Sequence, residues 1–91
     1  MIPAQPVVKT VLILCTGNSC RSQMAEALVN HHLGQHLRAI SAGTHPAAQV
    51  AEGAIEALRM AGIFAEGLHP KDTGSILNEP IDQIVTVCDN A

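Results

Sequence analysis

Cys15, Arg21 and Ser22 share one short run, Cys-Thr-Gly-Asn-Ser-Cys-Arg-Ser. An ionised thiol is a strong nucleophile, and a guanidinium is a planar fork that can hold two oxygens of a tetrahedral anion. The five residues between Cys15 and Arg21 are enough chain to curl backbone N–H groups around such an anion. Gly17 eases the curl. Asn18 is the residue expected in the left-handed conformation, with its side chain tying the loop together. Ser22 either aims a hydroxyl at the thiolate or caps a following helix; both stabilise negative charge in the loop. Thr16, Gly17, Asn18, Ser19, Cys20 and Arg21 thus form an oxyanion-binding set around a Cys15 nucleophile. Cys20 packs beneath the loop or, alternatively, shields Cys15 through a reversible disulfide. The Gly-Lys-Ser/Thr ending of a nucleotide-binding loop is missing, which argues against ATP.

The elements that must position this loop follow from patterning. The apolar run at 11–14 predicts a buried strand over 9–14, and good helix formers predict a helix over 22–33, ended by Gly34. The N-terminus of that helix brings partial positive charge to the loop. A second strand is expected over 37–41, ended by Ala42-Gly43, with a loop at His45-Pro46. Val50, Ala54, Ala57, Leu58 and Ala61 recur at helical spacing, predicting a helix over 49–61 closed by Gly62. Residues 63–76 read as loop with a helical turn near 73–77, and 81–87 as a third strand with a buried apolar centre. The order β-α-β-α-β predicts an α/β fold, a parallel sheet with helices on both faces. Right-handed crossovers make the first strand central and put its carboxyl end, with Cys15, at a topological switch point where ligands bind.

Composition narrows the field. The chain has 91 residues, a formal net charge of −3 and 14% charged residues, so a single domain is expected, without the basic patch that nucleic-acid binding needs. Residues 11–15 are the longest apolar stretch, far too short to cross a bilayer. No signal peptide is evident at the start, and a cytoplasmic protein is expected. Three cysteines, an odd number, argue against a structural disulfide framework and for free, catalytic or redox-cycling thiols. The histidines show no pair in a firm element that would favour zinc.

The run from Cys15 to Glu26 resembles the signature of the low-molecular-weight protein tyrosine phosphatase superfamily. Its Ser-Gln-Met-Ala-Glu ending is more similar to the thioredoxin-coupled arsenate reductase branch than to the phosphatases. Ser41-Ala42-Gly43-Thr44, Gly62-Ile63, His69-Pro70-Lys71-Asp72 and Val85-Thr86-Val87-Cys88-Asp89 extend the likeness along nearly the whole chain. The resemblance implies a flavodoxin-like phosphatase fold and reduction of arsenate to arsenite. In that reading Cys15 is the nucleophile, Arg21 and the loop amides bind the oxyanion, Ser22 stabilises the thiolate, and Cys88 resolves the Cys15–arsenic adduct. It further implies thioredoxin or another thiol reductant as electron donor, and a monovalent cation such as potassium at Asn18, Glu26, Ser41 and Asp72; loop-bracing hydrogen bonds are the alternative role for these four. The topology agrees on Cys88, because neighbouring first and third strands bring their carboxyl ends to one rim.

The likeness covers what resembles the N-terminal two-thirds of such a protein. No aspartate here precedes a proline, as the family's general acid would, and a third redox cysteine after Cys88 is absent. The expectation is a chain truncated at its C-terminus, with a third strand left as an edge and a homodimer formed through it. Two other functions stay open: phosphomonoester hydrolysis through a cysteinyl-phosphate, and oxyanion binding by a catalytically incomplete fragment.

Overall fold

The structure, a computed structural model, describes residues 8–65, 67–76 and 78–87. Strand β1 (Lys9–Cys15) leads through the loop into helix α1 (Arg21–Leu33). Strand β2 (Leu37–Gly43), helix α2 (Glu52–Met60), a 3₁₀ turn (Thr73–Ile76) and strand β3 (Gln83–Thr86) come after it. The sheet order is β2-β1-β3, and both pairings are parallel. The alternating pattern therefore gives the expected topology, with β1 central and Cys15 at its carboxyl end.

The two sheet faces are covered differently from expectation. Leu12, Ile40 and Ala42 pack with Ile76 of the 3₁₀ turn and with Ile81. Strand residues alternate between faces, so Ala39 and Ser41 turn to the opposite side, where α1 lies. Helix α2 also lies on that side: Leu58 and Ile63 join Ala27 of α1 in a second cluster with Met24, Ala65 and Leu68. Among the described residues, α-helices cover only one face. The crossover from β2 to β3 spends its helix on α1 and covers the far face with the short turn.

Element boundaries shift for identifiable reasons. β2 runs two residues past Ser41, because Ala42 and Gly43 pair with Leu14 and Cys15. α2 starts later than its apolar spacing predicts. The N–H of Ala51 is bonded to the Ser19 carbonyl at 2.7 Å, which holds Ala51 extended at the helix start. Val50, Ala54 and Leu58 are buried, whereas Ala57 and Ala61 are exposed. Gly62 ends the helix at φ +75, a conformation that suits glycine. β3 is shorter than expected and its centre is not buried: Ile84 and Val85 are 58% and 40% exposed. Its start is fixed to β1 through Thr10 and Asp82, which exchange hydrogen bonds of 2.7 and 2.9 Å. Among the described residues, no helix is long and apolar enough to cross a membrane.

Candidate active site

The loop from Cys15 to Arg21 curls because its carbonyls are all taken from outside. The carbonyls of Cys15, Thr16, Gly17 and Ser19 accept N–H bonds from Thr44, His45, Ala47 and Ala51, at 3.1, 2.9, 2.8 and 2.7 Å. The Cys20 carbonyl accepts from the Met24 N–H at 2.9 Å, and that of Asn18 from the Gln23 amide at 2.9 Å. With the carbonyls turned outward, the amide N–H side of the loop is left facing the interior of the curl. The segment 44–51 is thus an outer brace for the loop. Sequence patterning gives a loop at His45-Pro46 and a helix start at residue 49 there, and does not reveal the brace, because the bonds to the loop are tertiary.

Asn18 is the hinge. It has φ 48, the left-handed conformation expected of it, and is fully buried. Its N–H lies 3.0 Å from the Cys15 sulfur, and its side-chain amide donates to the Ser22 hydroxyl at 2.8 Å. The Ser22 hydroxyl lies 3.0 Å from the same sulfur. Because Ser22 accepts from Asn18, its own proton is available to Cys15. The serine therefore serves the thiol and does not cap the helix: Cys20 holds the cap position, without a side-chain cap bond. Two hydrogen-bond donors therefore converge on the sulfur, at the N-terminus of α1.

The concavity over the loop holds about 190 Å³ and is lined by residues 15–22 together with Val87. Arg21 begins α1 on its rim. Cys20 is exposed, so it does not pack beneath the loop. Val87 donates its N–H to the Leu14 carbonyl at 2.9 Å, which sets the end of the third strand beside the loop. Cys88 comes next in sequence and lies outside the described residues.

Gln23, Lys71 and Gly43 were missed as site residues. Gln23 is fully buried, and its amide nitrogen reaches the Asn18 carbonyl, Asn18 Oδ1 and the His69 carbonyl at 2.9, 3.0 and 2.7 Å. Its Oε1 has no hydrogen-bond partner among the described residues, so its orientation is fixed by what the nitrogen does. Lys71 donates its N–H to Asn18 Oδ1 at 2.7 Å, and its carbonyl accepts from Gly43 at 2.8 Å. A Cβ on Gly43 would stand 2.4 Å from the Thr16 carbonyl oxygen and 3.0 Å from the Asn18 Cβ. That close approach gives the glycine of the Ser-Ala-Gly-Thr motif a physical reason. The usable signal was the motifs themselves, read as contacts to the loop.

The four residues named as possible cation ligands are linked through the Lys71 segment; one side-chain oxygen each of Asn18, Glu26 and Asp72 already receives protein donors, and the Ser41 hydroxyl is itself a donor to Glu26. Glu26 Oε1 accepts the Ser41 N–H, the Ser41 hydroxyl and the Lys71 ammonium at 2.7, 2.8 and 3.2 Å. Asn18 Oδ1 accepts from Gln23 and Lys71. Asp72 Oδ1 accepts the Gly74 N–H at 2.7 Å. With an ammonium group on Glu26, this arrangement does not fit a resident potassium ion.

The anion-ready loop, with its cysteine, its arginine and its strand–loop–helix setting, agrees with the comparison with known families. Residues 10–91 match the low molecular weight phosphotyrosine protein phosphatase family. The chain belongs to that family. A protein named arsenate reductase from Bacillus licheniformis is 40% identical over 87 residues, covering 91% of this chain and 59% of the relative. Among solved structures, the thioredoxin-dependent arsenate reductase of Corynebacterium glutamicum superposes with a TM-score of 0.80 at 31% identity, covering 98% of this chain and 47% of that one. An arsenate reductase in its phosphate-binding state matches at TM-score 0.80 and 28% identity, covering 88% of this chain and 60% of that one. This family member therefore spans less than two thirds of the length of these relatives.

Proposed function

We propose that the chain carries the oxyanion site of an arsenate reductase that draws electrons from thioredoxin or a similar dithiol. The observation that carries this reading is the shared concavity: Cys15, its two hydrogen-bond donors and Arg21 line it together with Val87, the residue immediately before Cys88. The arsenate reductase relatives support the same assignment.

In this mechanism the amides of residues 16–21 and Arg21 hold the oxygens of arsenate, stabilising the charge of the transition state as preorganised donors do. The Cys15 thiolate attacks arsenic, an S–As bond forms, and an arsenate oxygen leaves as water after taking up protons. The Cys88 thiolate then attacks the Cys15 sulfur. An S–S bond forms, the S–As bond breaks, and its electron pair stays on arsenic, which departs as arsenite. Two thiols are oxidised as As(V) becomes As(III), and a dithiol reductant restores both cysteines by exchange. That chemistry needs a reducing compartment, which supports a cytoplasmic location.

A second reading, hydrolysis of phosphomonoesters through a cysteinyl-phosphate, is favoured by the family match, because its nucleophile and oxyanion donors all lie in the loop and it has no need of Cys88. The exposed Ile84 and Val85 of β3 support association with a second copy along that strand; mass by light scattering tests this, and a strictly monomeric mass at high concentration contradicts it. To separate the chemistries, the chain and a Cys88→Ser variant are each given arsenate with thioredoxin and its reductase, and separately a phenyl phosphate ester. Arsenate-dependent reductant consumption that disappears in the variant supports reduction. Ester hydrolysis indifferent to the variant supports the phosphatase reading. Oxyanion binding without turnover in either assay leaves a binding module.

A further inference from the structure

Beneath the anion loop, Glu26 and Lys71 form an ion pair whose side chains are 15% and 14% exposed. We propose that the Lys71 ammonium is a built-in cation that holds the loop's foundation together, so that this chain needs no potassium where its resemblance implied one.

The ammonium group lies 3.2 Å from Glu26 Oε1 and 3.1 Å from the His69 carbonyl oxygen. A carboxylate and a carbonyl are the oxygen donors that a hard monovalent cation takes, and an ammonium group matches potassium in charge and closely in size. Ser41 supports the same carboxylate oxygen with two donors. Lys71 is also joined to the loop by its backbone: its N–H holds Asn18 Oδ1, and its carbonyl holds Gly43. Asn18 in turn positions both donors to the Cys15 sulfur. One residue thus supplies the positive charge and the covalent tether that a free ion would lack. A buried carboxylate stripped of its counter-charge is strongly destabilised, so removing the ammonium leaves Glu26 in need of a cation. A route for one exists, because Glu26 also lines an open cavity of about 360 Å³ with Ala27, Asn30, Gly67 and Leu68.

Thermal unfolding of the whole chain tests this without any turnover, so its failure is distinct from failure of the arsenate reading. Wild-type protein is melted in potassium, sodium and choline chloride at equal ionic strength, beside Lys71→Ala and Lys71→Gln. The wild-type midpoint is expected to be the same in all three salts. In choline chloride Lys71→Ala is expected to melt about 5–10 °C lower, with potassium returning more than half of that loss and sodium less. Lys71→Gln keeps a donor but not the charge, so its expected midpoint lies between the two, with a smaller response to potassium. Alkylation of Cys15, with phosphate as protecting ligand, is expected to follow the same salt pattern. A wild-type midpoint raised selectively by potassium overturns the proposal. So does a Lys71→Ala loss that potassium does not reverse, since Lys71 is then a packing residue and not a cation. Should Lys71→Ala not fold in any salt, the wild-type and Lys71→Gln arms decide by the same criteria.

Discussion

Strand β1 has two neighbours, and the protein treats them in opposite ways. The outer edge of β2 is closed residue by residue. Asn30 of α1 bonds both the N–H and the carbonyl of Ala39, at 2.8 and 3.0 Å; Glu26 takes the N–H of Ser41; Lys71 takes that of Gly43. Such closure removes the pairing hazard of an edge strand. The residues that close the edge also include those that support the loop. β3, by contrast, exposes Ile84 and Val85 and brings one residue, Val87, to the concavity. The lesson is that the proposed oxyanion loop is supported from the β2 side, whereas the proposed redox step depends on Cys88, beyond the end of β3.

Substitutions can break that contrast. The largest effect is expected from Cys15→Ser, which should lower arsenate reduction and ester hydrolysis alike by about 10⁴-fold or more, as loss of a nucleophile does; coupled and chromogenic assays check this. Next comes Gly43→Ala on the β2 side. Its Cβ cannot occupy a site 2.4 Å from the Thr16 carbonyl unless the loop shifts, so a stability loss of about 1–3 kcal/mol is expected. Urea unfolding and phosphate protection of Cys15 would both register it. Ser22→Ala removes a donor to the sulfur and leaves the Asn18 amide without its acceptor. The expected result is a Cys15 alkylation rate at neutral pH lowered about tenfold, with the fold intact. A last pair of substitutions, ending on the smallest effect, sharpens the comparison itself. Asn30→Ala should cost about 1–3 kcal/mol, because the Ala39 groups lose their partners. Ile84→Thr on the exposed strand should change stability by no more than about 0.5 kcal/mol and leave oxyanion binding untouched. Equal losses from these two variants, measured by urea unfolding, would erase the distinction.

Much of the site was legible because its signals are local. The apolar run before Cys15, the left-handed Asn18 and the spacing to Arg21 each depend on neighbours in sequence. The central position of β1 followed from alternation and handedness. What patterning missed depends on partners far along the chain. The late start of α2 is set by the bond from Ala51 to Ser19. The second helix sits beside α1 because Leu58 and Ile63 find Ala27 there. Lys71 is only one member of the His-Pro-Lys-Asp motif until its contacts to Glu26 and Asn18 are seen. An apolar stretch such as 84–85 likewise reads as core, although the fold leaves it exposed.

The most direct test of the account is a single turnover followed by peptide mapping. Fully reduced chain is mixed with arsenate in the absence of any reductant, remaining thiols are blocked by alkylation, and linked peptides are identified by mass spectrometry. The account predicts a disulfide joining Cys15 to Cys88, arsenite released in stoichiometric amount, and Cys20 recovered alkylated. Recovery of Cys88 as a free thiol after arsenite release, or a disulfide joining Cys15 to Cys20 in its place, would contradict it.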